Sequence, residues 1–401
     1  MSQTPTADQL RNRLVDAIRH DTPLSTAVER ALRTVPREAF LPGIDLHEAY
    51  ADQAVTIKDN PLGGALPLSC ASVPSIVATM LNQLDVRPGD DILEIGAGTG
   101  YNAALLAELT GHHGHVTTID IDSDVALHAR TMLDHAGYQH VHVMERDGLT
   151  GAPENAPYDR MLAAVGLWDL PTAWWQQLGE GSRLVLPLRW RGQTRSVALT
   201  RHADTLVSES MQLCGFVPVI GQDGEKTTPL NADNTIRVIH DADQAVDARA
   251  LGASLSSTAG IEVMSAQCVG SEESFDGVWL RATATDDRIC RLQVMPDALA
   301  QELLPRPAVP VRSPVLVDGD SLAYLIVRRD PADPQRSHQL GAAAYGPHAQ
   351  QLAQDLIAHI EAWGTARTTL PRLTITPSQS DAATGSGHVI SKPESRLTLT
   401  Y

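Results

Sequence analysis

The sequence predicts an α/β chain: a doubly wound, Rossmann-like parallel sheet that ends in an antiparallel hairpin, followed by a C-terminal α+β domain. Three observations carry that expectation. Strand and helix patterns alternate from Asp91 to Leu188 at the spacing of parallel crossovers. A glycine-rich turn, Gly96-Ala97-Gly98-Thr99-Gly100, closes the first of those strands. Beyond Gly221 the alternation is lost, and Gln222 to Asn234 reads as a polar linker.

Residues 8 to 35 read as helical, with Leu10, Leu14, Ala17 and Ile18 on one face and a second short segment after Ser25. Asp59 to Pro67 (DNPLGGALP) is a loop by its turn chemistry. From Pro74 the apolar positions Ile76, Val77, Met80, Leu81 and Leu84 keep helical spacing until Pro88-Gly89. Strands are expected at Asp91–Ile95, His115–Ile119, Val141–Met144, Arg160–Ala164 and Arg183–Leu188, with helices at Tyr101–Leu109, Val125–Ala136 and Pro171–Leu178. Ser196–Thr200 and Leu206–Leu213 flank a short polar turn and form the closing hairpin. Further on, strands are expected at Asp276–Ala284, Arg291–Met295, Val315–Val317 and Ala323–Arg328. A helix starts at Pro347 and carries Leu352, Leu356, Ile357, Ile360 and Trp363 on one face. Ser378 to Gly387 reads as a mobile loop. The expected division is an N-terminal helical and substrate-side segment over 1–70, a central α/β domain over 71–221 and an α+β domain over 222–401.

Composition narrows the function classes. The 401 residues carry 31 Lys+Arg against 48 Asp+Glu, a net charge of −17. Nucleic-acid binding depends on neutralising phosphates, and an anionic membrane surface repels the same charge, so neither is expected as a partner. No stretch approaches the roughly 20 apolar residues of a membrane span, and the N-terminus lacks an apolar secretory core, which points to a cytoplasmic protein. Cys70, Cys214, Cys268 and Cys290 are scattered, and the histidines of the Gly-His-His-Gly-His run lack ligand spacing. No disulfide framework and no metal site is expected.

The chemistry-bearing positions lie at the carboxyl ends of successive strands, where open α/β sheets bind ligands. Leu93-Glu94-Ile95-Gly96-Ala97-Gly98-Thr99-Gly100 ends the first, with GxGxG spacing where pyrophosphate-binding folds prefer GxGxxG. Asp120 ends the second, where a carboxylate can accept both hydrogen bonds of a ribose diol, with Ile121 beside it. Asp147-Gly148 follows the third and suits an adenine edge. Each alone is an ordinary turn residue. Three in register with three strands make a ligand site the stronger reading.

Residues 26 to 190 resemble the protein-L-isoaspartate O-methyltransferase family. The resemblance rests on Val35-Pro36-Arg37-Glu38-Ala39-Phe40-Leu41-Pro42, Ala49-Tyr50-Ala51-Asp52, the glycine motif ending at Tyr101, Asp120, Asp147-Gly148, Ala156 to Asp159 and Ser182 to Pro187. It implies a class I methyltransferase sheet and S-adenosyl-L-methionine as cofactor, held by Glu94, Gly96, Gly98, Gly100, Asp120, Ile121, Asp147 and Gly148. Cys70-Ala71-Ser72-Val73-Pro74 stands where the family has Thr-Ile-Ser-Gln-Pro. Ser72 therefore matches the serine that positions the substrate carboxylate; it can also serve as the N-cap before Pro74. Ser69, Cys70, Val165 and Trp168 fall on the substrate side, whereas Trp174 and Trp175 read as core.

The run from Ala164 to Pro171, the run from Pro187 to Leu199 and the long C-terminal region resemble a narrower group of methyltransferases that act on ribosomally made, modified peptides such as lanthipeptides, lasso peptides and graspetides. That resemblance implies esterification of an ordinary Asp in a cyclised precursor peptide. Succinimide (aspartimide) and isoaspartate would follow, with the C-terminal domain recognising the peptide. Repair of isoaspartyl residues in damaged proteins is the alternative, and a non-catalytic cofactor- and peptide-binding module is another. An aspartate with an ordinary pKa near 3.9 is ionised at neutral pH, so the reaction needs positioning more than a general base. Arg183, Arg189, Arg191, Arg195 and Arg201 read as decoration of exposed strands, with reception of an acidic peptide as the alternative.

Overall fold

The computed structural model describes residues 5–60, 67–257, 259–333, 337–380 and 386–401. The central part of the loop expected over Asp59–Pro67 and that of the mobile loop expected over Ser378–Gly387 lie outside the described residues. The N-terminal helix Ala7–Asp21 opens with a capping box, in which Thr6 and Gln9 each bond the other's backbone. Its buried face is Leu10, Val15 and Ile18; Val15 takes the place expected of Ala17, which is exposed. With helix Thr26–Thr34, capped by Ser25, it packs on helices Pro74–Leu84 and Tyr101–Thr110. Between these pairs lies an antiparallel hairpin that the sequence did not suggest, β1 (Val55–Lys58) and β2 (Ser69–Ala71).

The main sheet is built from β3 (Asp91–Ile95), β4 (His115–Asp120), β5 (His142–Glu145), β6 (Tyr158–Ala163), β7 (Leu178–Trp190), β8 (Gln193–His202) and β9 (Thr205–Leu213). In the order β5-β4-β3-β6-β7 the strands are parallel, and β8 and β9 follow as an antiparallel meander. β7 is longer than expected and projects beyond the sheet into a two-residue turn, Arg191-Gly192. Both turn residues have positive φ (48° and 77°), as the tightest hairpin turns require.

A second unit follows: β10 (Glu225–Pro229), β11 (Ile236–Asp241), β12 (Ile261–Gly270), β13 (Ile289–Val294), β14 (Ser313–Asp318), β15 (Ser321–Arg329) and β16 (Ser337–Tyr345). They form one antiparallel sheet, ordered β10-β11-β13-β14-β15-β16-β12. Helix Ala349–Gly364 covers it through Leu352, Leu356, Ile360 and Trp363. The strand expected from Asp276 is instead a helix, Asp276–Ala282. Leu280 packs into the main-sheet core while Val278, Trp279 and Ala282 pack into the second unit, so burial on several sides hides its helical period.

The chain then returns. β17 (Arg372–Pro377), β18 (His388–Ser391) and β19 (Ser395–Thr400) extend the main sheet beyond β9, through Thr374 opposite Val207 and Ile375 opposite Leu206. Leu373, Ile375, Leu397 and Leu399 are buried in the main-sheet core. The C-terminal domain expected over 222–401 is therefore split, and its last strands belong to the central unit. Periodicity cannot reveal that, because it does not say which sheet a strand joins.

The β7–β8 tip joins the two units. The Arg191 guanidinium, 3% exposed, lies 2.7 Å from Asp243, 3.1 Å from Asp287 and 3.6 Å from Asp241. The indole of Trp190 and the amide of Gln193 both donate to the Thr283 hydroxyl. Lys392, pushed down to about 8 by burial against the pull of Asp241 and Asp169, donates to the carbonyls of Trp168 and Arg189. Asp169 accepts from Ser395 and from the backbone of Glu394.

Two expectations are corrected here. Trp168 does not line the cleft: its indole N–H donates to Asp241 at 2.9 Å and its ring lies under Lys392, because a buried indole needs an acceptor and the second unit supplies it. The arginines are not surface decoration. Arg191 and Arg195 are buried, Arg195 against Asp276, and Arg183, Arg189 and Arg201 have fixed partners. Among the described residues no helix is long and apolar enough to cross a membrane.

Gly224 lies flat on Trp168, where an added Cβ would fall 1.9 Å from two ring carbons. Gly224→Ala is expected to cost about 2–3 kcal/mol in urea unfolding. Gly215→Ala, whose Cβ meets nothing within 4 Å, should be near neutral. Equal midpoints for the two variants would contradict this packing.

Candidate active site

A cavity of about 600 Å³ opens over the carboxyl ends of β3, β4 and β6. Its floor is the turn from β3 into helix Tyr101–Thr110. Gly96, Gly98 and Gly100 have φ of 93°, 53° and 86°, which side chains rarely adopt. Space is short as well: a Cβ on Gly96 would meet Val165 at 3.2 Å, and one on Gly100 would meet Leu133 at 3.0 Å. The amides of Gly96 and Ala97 donate to the Ile119 carbonyl, tying the loop to β4.

Glu94 lies under this loop, fully buried. It accepts from Asn102 Nδ2 and from Thr118 Oγ1, both at 2.6 Å. Burial pushes its carboxyl up to about 7, against those two hydrogen bonds. Both oxygens being engaged, Glu94 braces the loop between β3, β4 and the helix. Asn102 and Thr118 are site residues the sequence reading missed; Asn102, one turn into the helix after the glycines, was the available signal.

Asp120 ends β4 with its oxygens accepting from the amides of Gly98 and Asp122, at 3.2 and 3.1 Å. Burial raises its pKa. Ile121 beside it is a large apolar side chain left 44% exposed on the cavity rim. Asp147 caps the short turn Gly148–Thr150, and both Asp147 and Gly148 line the cavity. A Cβ on Gly148 would come within 2.5 Å of Ile95.

On the other side stand Ser69, Cys70, Ser72 and Val165, all lining the cavity. β2 and the residues after it carry Ser69, Cys70 and Ser72, with the Cys70 carbonyl 3.8 Å from where a Gly98 Cβ would be, whereas Val165 follows β6. Ser72 is not an N-cap: Val73 holds that position without a side-chain bond, and Asp52 accepts from the Ser75 amide at 2.8 Å. The Ser72 hydroxyl is thus left uncommitted among the described residues. Its carbonyl accepts from Arg37 Nη2 at 3.0 Å.

Arg37 is the principal residue the sequence reading missed. It is 1% exposed, lines the cavity, donates to the Ala49 carbonyl and stacks 5.2 Å from the Tyr101 ring centroid. No ion-pair partner is found for it among the described residues, and burial lowers its pKa. Its position between apolar Val35 and Phe40 was the available signal. The second unit adds Trp279, Arg291, Val311 and Arg312 to the same lining. Among the described residues no group of His, Cys, Asp or Glu could hold a metal ion.

This donor set fits a cationic nucleoside ligand. Carboxylates at Asp120 and Asp147 suit ribose and base hydrogen bonds, Ile121 offers a face for a flat ring, and the glycine loop admits a chain close to backbone. Site and sheet together define a class I methyltransferase, and its cofactor is S-adenosyl-L-methionine. The chain belongs to the protein-L-isoaspartate(D-aspartate) O-methyltransferase family, whose family model matches residues 9–224. The Koribacter versatilis protein-L-isoaspartate O-methyltransferase is 38% identical over 197 residues, covering 49% of this chain and 84% of the relative. The Archaeoglobus fulgidus protein-L-isoaspartate O-methyltransferase 2 is 34% identical over 220 residues, covering 55% and 97%. A solved protein-L-isoaspartate O-methyltransferase structure, 17% identical, shares the fold with a TM-score of 0.50 over 98% of this chain and 100% of its own.

The raised Glu94 carboxyl has a pH consequence. Between pH 4.5 and about 7 the folded state holds a proton that the unfolded state has released, so stability falls as pH rises through this window. The slope from this group is at most ~1.4 kcal/mol per pH unit. Glu94→Gln, which can keep both hydrogen bonds, should flatten the slope in a pH series of urea midpoints. An unchanged slope would show that another group titrates.

Proposed function

We propose that this protein carboxyl O-methyltransferase esterifies the free α-carboxylate of an L-isoaspartyl residue in a peptide or protein. The observation that carries this reading is the uncommitted Ser72 hydroxyl, facing the cavity beside the glycine loop, on a segment held by buried Arg37. The names of the relatives that cover this catalytic half support isoaspartate as the acceptor.

Bound S-adenosyl-L-methionine supplies an electrophilic methyl group. The acceptor carboxylate is already ionised at neutral pH, so no side chain has to remove a proton. Ser72 donates its hydroxyl hydrogen to one carboxylate oxygen and leaves the other free to react. The Arg37 charge, shielded from water and without a carboxylate partner among the described residues, draws the anion to this end of the cleft. Glu94, through Asn102 and Thr118, holds the glycine loop in register with Asp120. The walls from both units exclude water and fix the acceptor, and alignment of this kind is where most of the rate resides.

A second reading keeps the chemistry and changes the acceptor to an ordinary Asp in a cyclised, ribosomally made precursor peptide. There the ester closes to a succinimide and opens to isoaspartate. Two observations favour it: Cys70-Ala71 and Val73 around Ser72 depart from the family's motif, and a second unit walls the cleft. Mass spectrometry on both acceptor types separates the readings. Methyl gain on the isoaspartyl peptide supports repair, whereas methyl gain followed by methanol loss on the cyclised Asp peptide alone supports maturation.

Ser72→Ala is expected to lower kcat by about 100-fold while KM moves less than about threefold. A kcat within about twofold of the native value would remove Ser72 from the mechanism.

A further inference from the structure

The cleft has a second pole of positive charge away from Arg37. Arg189 at the end of β7, Arg291 on β13 and Arg312 before β14 all line the cavity, and so lie on both sides of the seam between the units. Arg189 pairs with Glu225, whose same oxygen lies 3.8 Å from Arg291 Nη2. Arg312 is exposed and has no ion-pair partner among the described residues. Three cations therefore share one carboxylate, in a chain whose net charge is −17.

The neighbouring Arg191 shows what a purely structural arginine looks like at this seam: closed off from solvent and surrounded by three carboxylates. Arg291 and Arg312 are different. Arg291 Nε and Glu225 Oε1 are each buried without a hydrogen-bond partner, an arrangement that leaves polar capacity unmet at the cavity wall. Burial lowers the pKa of Arg291 against the pull of Glu225, and the nearby charges of Arg189 and Arg312 lower it further. Gly192, at the β7–β8 tip, fixes the backbone beneath: a Cβ there would fall 2.7 Å from the Arg291 amide nitrogen. Arg291 and Arg189 are thus held in place by the fold, and an added anion would relieve the repulsion at Arg291. A planar guanidinium fork matches a carboxylate with two parallel hydrogen bonds.

We infer that Arg291 and Arg312, with Arg189 behind them, bind a second carboxylate of the peptide substrate and so make the enzyme select acidic peptides. The inference rests on the proposed reading of the cleft as a peptide carboxylate methyltransferase site. The second carboxylate is either an acidic side chain near the methyl acceptor or the peptide's own C-terminus.

The test uses the full chain loaded with S-adenosyl-L-homocysteine and three synthetic isoaspartyl peptides. One has neutral flanks and blocked ends, one has flanking glutamates and blocked ends, and one has neutral flanks and a free C-terminal carboxylate. Calorimetry should show at least one acidic peptide binding about tenfold tighter than the neutral one, and which one identifies the carboxylate's source. Arg312→Gln, at an exposed position that tolerates substitution, and Arg291→Gln should each bring that ratio close to one. Arg291→Lys should restore part of it. Equal binding of all three peptides, or an acidic preference that survives both Gln substitutions together, overturns the inference. Binding is read without turnover, so the two claims fail separately. Acidic preference without methyl transfer to any acceptor would keep this inference and sink the proposed reaction. Methyl transfer with equal binding would do the reverse.

Discussion

The buried Arg191 guanidinium is the constraint around which the two units are arranged. A charge this deep is tolerated only because Asp241, Asp243 and Asp287 surround it, and removing a buried partner such as Asp241 typically costs about 3–5 kcal/mol. Arg191 sits at the tip of a hairpin that leaves the main sheet and enters the second unit. Fixing it there fixes the direction of β7 and β8, and with them Arg189 and Thr194 on the cavity wall. The same carboxylate, Asp241, anchors Trp168 and the Arg191 amide, so the segment after β6 is held by the same knot. The returning C-terminal strands close it through Lys392, Glu394 and Ser395.

The opposite wall depends on a separate buried network. Glu94 links β3, β4 and the helix after the glycines, and Arg37 links the N-terminal segment to Ser72. Both are ionisable groups held away from water, with shifts that follow from burial: up for the acid, down for the base. These networks hold the glycine-loop side of the cleft and Ser72 in one frame. The second unit then supplies the remaining wall, so the cleft belongs to neither unit alone.

Much of the cavity lining around the glycine loop was legible in the sequence because those residues are tied to local geometry. Positive φ demanded glycine at 96, 98 and 100, and strand ends placed Asp120 and Asp147. Ser72 was legible only through a family resemblance, and its availability became visible when Val73 proved to be the cap position. What was not legible depends on long-range partners. Trp168 looked like a pocket residue until Asp241, distant in sequence, was seen to hold its indole. The arginines around β7 looked like surface decoration because their carboxylates come from the second unit. Helix Asp276–Ala282 was misread because it is buried on several sides, and the return of β17–β19 has no local mark at all.

The central claim is that one cleft, made by both units, receives the acceptor. Hydrogen–deuterium exchange on the full chain, with S-adenosyl-L-homocysteine bound and the acceptor peptide then added, addresses it most directly. The account predicts that the peptide slows exchange in the segment around Ser72 and also around Trp279, Arg291 and Arg312. Protection confined to the segment around Ser72, with the second unit unchanged, would contradict it.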